Sequence, residues 1–221
     1  MENIESNKEN IMGTMPVGQL LVKMSIPMVI SMLVQSIYNV VDSIFVARVS
    51  EEALTAVSLA FPVQNIMLAF AIGISVGASA LLSRYLGMGD KRRVGSVAMH
   101  GVALSLIAYV VFALLGFFFT DFFANSQAAS SQIVAYTKDY LWLITVFGIG
   151  VFFQVLAEKL LQATSLTFYT MIVQISGALI NLILDPIFIF GLFGFPRMEV
   201  RGAALATVIG QVGGAIIGLI L

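Results

Sequence analysis

Asp185 lies inside an apolar run, Gly177-Ala-Leu-Ile-Asn181-Leu-Ile-Leu-Asp185-Pro186-Ile-Phe-Ile-Phe-Gly191, that could lie in a bilayer. Asn181 precedes it by four residues, so on a helix the amide and the carboxylate share one face, one turn apart. A carboxylate at membrane depth costs about 2.5–3.5 kcal/mol on insertion scales and usually faces a bundle interior or a water-filled path. Pro186 removes one helical hydrogen bond and its ring clashes with the carbonyl of Leu182, which predicts a kink and a bare acceptor oxygen beside the acid. Backbone oxygen, amide and carboxylate are together a cation's ligands. The competing reading of Asp185 is an N-cap or a structural hydrogen-bond partner. Asp42 is a second acid in an apolar stretch, six residues before Arg48. Its competing reading is a helix-end carboxylate snorkelling to water.

These acids need a frame that holds them in lipid, and the composition supplies one. With 59% hydrophobic and 10% charged residues, and a mean hydropathy of +1.00, the chain falls in the polytopic membrane class. The formal charge is −1, with no basic surplus to suggest nucleic acid, and the absence of Cys removes disulfides and thiolate metal sites. Residues 1–16 are polar and mixed in charge. The apolar run that follows is longer than a signal peptide's and lacks a small-residue cleavage site, which predicts a retained helix behind a short tail.

The periodicity predicts an all-α membrane protein of six helices, at about Gly18–Val46, Ala53–Leu86, Val94–Phe119, Ile133–Ala163, Thr167–Phe190 and Gly202–Leu221. Arg48 to Glu52, Gly87-Met-Gly-Asp-Lys-Arg-Arg93, Asp121 to Ser131 and Leu192-Phe-Gly-Phe-Pro-Arg-Met-Glu199 are the predicted turns, with a weaker join at Thr164 and Ser165 after Glu158 and Lys159. With a cytoplasmic N-terminus, Lys8, Lys23, Arg84, Lys91, Arg92, Arg93 and Lys159 lie inside against Arg48, Lys138, Arg197 and Arg201 outside, which favours that orientation. The first and fifth helices then both run outward. Asp42 and Asp185 each stand six residues before the outer end, so both lie about 9 Å below it at 1.5 Å per residue.

A weak repeat matches this placement. Asp42-Ser-Ile-Phe-Val and Ala53-Leu-Thr-Ala-Val57 are echoed by Asp185-Pro-Ile-Phe-Ile and Ala204-Leu-Ala-Thr-Val208. Repeats of this kind build many secondary transporters, whose ion sites lie where repeated or interrupted helices meet. Pro27 and Pro62 are further interruptions, and Pro27, fifteen residues before Asp42, is placed to let the first helix bend in response to the charge on its acid.

Met12-Gly-Thr-Met-Pro-Val-Gly-Gln-Leu-Leu, Tyr38-Asn-Val-Val-Asp42-Ser-Ile-Phe-Val-Ala, Ala53-Leu-Thr-Ala-Val-Ser-Leu-Ala-Phe-Pro62, Gly87-Met-Gly-Asp90 and Asn181-Leu-Ile-Leu-Asp185-Pro resemble the multidrug and toxic compound extrusion (MATE) transporters over nearly the whole chain. The resemblance implies a cation-coupled exporter of amphiphilic, often cationic compounds. It implies that Asp42, Asn181 and Asp185 take up a proton or a sodium ion, with a fourth-helix Tyr and a sixth-helix Thr, nearest matched by Tyr140 and Thr207, completing the site. No other cofactor or metal is implied. Such transporters have twelve helices in two lobes, whereas this chain stops at Leu221 in an apolar run, so residues 17–221 are expected to be one six-helix lobe that needs a second lobe or a second copy. The implied setting is the plasma (inner) membrane.

Other residues are read more plainly. Met24, Met28 and Met32 form a stripe expected to face lipid or packing partners rather than drugs. Gly73/Gly77 and Gly210/Gly214/Gly218 have the spacing of close helix packing. His100 is expected at the interface, and Gln35, Gln64, Asn65, Gln154 and Gln211 either line a cavity or bond between helices. Gly13-Thr-Met-Pro-Val-Gly18 has glycine spacing without a phosphate loop's Lys and Ser/Thr, so ATP drive is unsupported, and no nucleophile–base set appears. An intramembrane aspartyl enzyme, a membrane scaffold and a flippase for lipid-linked oligosaccharides are the alternatives. A diphosphate would want Arg or Lys in the cavity, and the basic residues here lie in tails, loops or helix ends.

Overall fold

The computed structural model describes residues 15–127 and 130–221. The predicted tail up to Thr14, with Lys8 and the start of the Met12-Gly-Thr motif, lies outside the described residues. The chain forms α1 (Val17–Ala47), α2 (Glu51–Gly87), α3 (Lys91–Gln127), α4 (Ser131–Val146), α5 (Ile149–Ala163), α6 (Thr167–Phe190) and α7 (Val200–Ile220), with a short 3₁₀ turn at Leu192–Gly194. Five of these helices are long and apolar enough to cross a membrane, and the bent α4–α5 pair passes the same test when its two helices are taken together as one broken span.

The turns explain where the helices stop. Ser50 caps α2 by accepting from the Ala53 N–H at 3.1 Å, and Glu51 and Glu52 in the first turn complement the helix dipole. Asp90 does the same for α3, its Oδ1 accepting from the Arg93 N–H at 3.1 Å. Gly191 ends α6 at φ 75°, where a Cβ would lie 2.8 Å from the Arg197 nitrogen, so the tight turn back toward α7 requires glycine.

Two boundaries differ from the sequence expectation. The predicted helix Ile133–Ala163 is two helices bent by 49°. The break is at Gly148, where a Cβ would lie 2.2 Å from the Ile144 carbonyl and 2.9 Å from the Met67 methyl, so a bend pressed against α2 admits no side chain. The third helix continues beyond Phe119 to Gln127, because the polar residues from Asp121 onward bond within the helix: Asn125 Nδ2 donates to the Asp121 carbonyl at 2.7 Å. Their polarity marks emergence from the apolar zone, not the end of the helix.

The packing is built on small residues. Ala53, Ala56, Ala60 and Ala71 on α2 and Ala203, Ala204 and Ala206 on α7 are completely buried, letting backbones approach where no hydrophobic drive separates helix from lipid. α7 lies at the centre, against α6, α5 and α4, while α2 packs on α3, α4 and α5. α1 joins this bundle chiefly through α6. Of the two glycine stripes, only that on α7 packs closely: a Cβ at Gly210 would lie 2.8 Å from the Gly177 carbonyl and one at Gly218 2.7 Å from Ala157 Cβ. Gly73 and Gly77 were expected to do the same, but a Cβ on either meets nothing within 4 Å. They face outward from the described bundle, and spacing alone carries no information about which stripe finds a neighbour.

Candidate functional site

The α6–α7 seam sets the first part of the site. Thr167, Thr170, Val173, Gly177, Ala178, Asn181, Asp185 and Ile189 form its buried α6 face, at the three- and four-residue steps of one helix side. Asp185 and Asn181 are 0% and 2% exposed. Asn181 Nδ2 donates to Thr207 Oγ1 at 3.2 Å, and the Thr207 hydroxyl donates to the Ala203 carbonyl at 2.9 Å, tying the site to α7. Tyr140 of α4 is 3% exposed, and its hydroxyl accepts from Gln64 Nε2 of α2 at 3.1 Å.

Asp42 of α1 comes alongside Asp185, so that each acid is the other's charged neighbour. The five residues singled out as a coupling set, Asp42, Asn181, Asp185, Tyr140 and Thr207, are therefore gathered in one place from α1, α4, α6 and α7. Tyr38, one turn before Asp42, joins them and neighbours Tyr140 and Thr207. Its i, i+4 relation to Asp42 is the sequence signal for that place, and the sequence reading missed it. Among the described residues, Asp42 Oδ1, Asn181 Oδ1 and both carboxylate oxygens of Asp185 are buried without a hydrogen-bond partner. Buried oxygens left bare cost free energy, and an uncompensated carboxylate costs several kcal/mol. Oxygens so placed are chemically suited to take up a proton or to hold a cation.

A cavity of about 970 Å³ opens beside this cluster. Gln35, Asn39 and Asp42 reach it as a polar stripe along α1, with Gln35 Nε2 donating to Asn39 Oδ1 at 3.3 Å. Gln64 and Asn65 of α2, Gln154 and Glu158 of α5, Gln174 of α6 and Gln211 of α7 complete the polar lining among apolar side chains such as Phe61, Leu68 and Ile144. All five amides left open in the sequence reading are thus cavity residues. Asn39, Gln174 and Glu158 were missed. Lys159 also borders the cavity, so the expectation that basic residues lie clear of it does not hold at that position.

The remaining candidates lie elsewhere. α1 and α6 run through Pro27 and Pro186 without a break in the helix. Pro27 borders a smaller cleft of about 320 Å³ shared with the Ser165–Tyr169 turn. Met24 lies in that cleft and Met32 is 64% exposed, so the methionine stripe does not line the large cavity. His100 is exposed near the start of α3, its ring Nδ1 2.6 Å from the Ser96 carbonyl.

The profile of the MatE family matches residues 27–187. The chain belongs to that family. The FAD transporter of Shewanella oneidensis is 31% identical over 87% of this chain and 43% of its own length. Multidrug export protein MepA of Staphylococcus haemolyticus is 34% identical over 88% of this chain and 42% of its own. Among solved structures, a MOP superfamily transporter from Pyrococcus furiosus superposes with a TM-score of 0.83 at 33% identity, over 90% of this chain and 43% of that one. The chain spans less than half the length of the curated relatives it matches. As a MATE protein it is an all-helical, multi-pass membrane protein of a transporter family, not of an enzyme family.

Proposed function

We propose that the chain forms one lobe of a cation-coupled antiporter that exports amphiphilic or cationic drugs. The observation that carries this reading is the set of four bare, buried oxygens on Asp42, Asn181 and Asp185 beside a cavity of drug-sized volume. A proton or sodium ion taken up there compensates the carboxylates and holds α1 against α6. Its departure leaves two facing negative charges that push α1 away, with Pro27 as the bending point. Substrate in the cavity and ion at the carboxylates then compete for one arrangement of α1, which is antiport.

Alternating access needs a second bundle to rock against this one. A further lobe or a second copy of the chain supplies it, with the N-terminus cytoplasmic and the protein in the plasma (inner) membrane. The test is reconstitution in proteoliposomes with an imposed proton or sodium gradient, following efflux of a lipophilic cation while cross-linking reports the oligomeric state. Efflux requiring the gradient and a paired state supports the reading, and robust coupled efflux from a demonstrated monomer refutes the half-transporter part.

Lys159 at the cavity and the relative named as a FAD transporter favour a second reading, an anionic dinucleotide or lipid diphosphate as cargo. One lysine, whose Nζ already donates to Gln162 Oε1 at 3.0 Å, is weak provision for a diphosphate.

A further inference from the structure

We propose that Glu158 reads the positive charge of the exported substrate, at a subsite separate from the Asp42–Asp185 pair; this rests on the export reading above. Glu158 projects from α5 into the large cavity, in company with Gln154, Gln174 and Gln211. Gln154 is wedged between α6 and α7. A Cβ at Gly214 would lie 2.8 Å from its Cδ, so that glycine makes the room the amide fills, and one at Gly177 would press on its Nε2 at 3.3 Å. So held, Gln154 Nε2 donates to Glu158 Oε1 at 3.1 Å and fixes the carboxylate's direction. Among the described residues the other carboxylate oxygen has no hydrogen-bond donor and Glu158 enters none of the ion pairs, which join Arg93–Asp90, Lys138–Asp121, Arg197–Glu199 and Arg201–Asp139. Lys159, the next residue along α5, turns its ammonium to Gln162, donating to its Oε1 at 3.0 Å.

A carboxylate aimed by an immobilised amide, in a cavity with apolar walls and no bound counter-charge, favours a cation over a neutral molecule of the same shape. Its placement on the α5 side of the cavity leaves the Asp42–Asp185 pair free for the coupling ion. Two jobs that compete in one carboxylate are divided between two places.

The test is equilibrium binding of tetraphenylphosphonium and of neutral triphenylphosphine oxide to the purified protein in lipid nanodiscs, for the parent, Glu158→Gln, Glu158→Asp and Lys159→Gln. Glu158→Gln should weaken tetraphenylphosphonium roughly tenfold or more and leave the neutral compound within about twofold. Glu158→Asp should retain most of the preference, and Lys159→Gln should leave cation binding equal or tighter. Unchanged cation binding in Glu158→Gln overturns the assignment while sparing the export reading. Parallel loss of both compounds overturns it too, by showing a structural role. A parent protein that binds neither compound overturns the assignment together with the export reading.

Discussion

Asp42 and Asp185 meet from helices that are held in unlike ways. α6 buries eight residues, most of them in the seam with α7, where the Gly210 backbone lies against the Gly177 carbonyl. α1 buries only Ser31 and Val46. In the apolar windows of the spans, 33% of α6 and 50% of α7 are buried against 6% of α1. The two acids occupy equivalent places in the weak repeat, yet packing has made them unequal: one is built into the bundle and the other is carried on a helix resting on it. A charge pair with one fixed and one movable member can act as a latch, because a change in charge alters the position of only one of them.

The most severe way to break the comparison is to remove the fixed charge. If the pair takes up the coupling ion as proposed, Asp185→Asn, which keeps the shape, should lower gradient-driven efflux at least about a hundredfold with folded yield unchanged, because the ion then loses the carboxylate beside Asn181 and Asp42. Asp42→Asn should approach the same loss. Coupled efflux that survives both substitutions, measured in proteoliposomes at saturating gradient, rules out the latch.

Substitutions in the α6–α7 seam should act on stability instead. Gly210→Leu drives a side chain into the Gly177 carbonyl and the Asn181 side chain, and overpacking of this kind costs about 1–3 kcal/mol or more. A lowered unfolding temperature with loss of tetraphenylphosphonium binding is expected. A comparable loss from Ile37→Ala on α1, a side chain 63% exposed, would show that α1 is not the loosely held partner.

Much of this frame was legible beforehand because membrane helices announce themselves as apolar runs between charged or glycine-punctuated turns. The gathering of Asp42, Asn181 and Asp185 was legible because acids inside such runs are few, and Asn181 and Asp185 share a face by spacing alone. Gly148 was not legible as a break: it resembles other glycines in helices, and its role comes from the Ile144 carbonyl and the Met67 methyl pressing on it. Glu158 was read only as the marker of a weak turn, since the clearance that lets Gln154 orient it is made by Gly214 on another helix.

Motion of α1 is sharpened by Pro27→Ala. Restoring an N–H at residue 27 allows a bond to the Lys23 carbonyl and stiffens the helix that carries Asp42. If α1 moves in the cycle as proposed, turnover should fall about three- to tenfold with substrate affinity little changed, because only that step is slowed. Equal loss of binding and turnover would indicate misfolding of α1 and remove Pro27 from the mechanism.

The smallest effect is expected where the second glycine stripe lies. Gly73 and Gly77 share the spacing of Gly210 and Gly214, but an added methyl meets nothing within 4 Å of either. If that face of α2 meets only lipid, Gly73→Ala and Gly77→Ala should be tolerated, and the better helix propensity of alanine should stabilise by up to about 1 kcal/mol each. The measurement is thermal unfolding in lipid together with coupled efflux, and both should equal or exceed the parent. A fall in efflux with unchanged unfolding would mean that the stripe packs against another bundle during the cycle, making α2 a moving contact rather than a lipid-facing wall. The contrast between the stripes would then be one of timing: α7 packs its glycines permanently, and α2 does so only in one state.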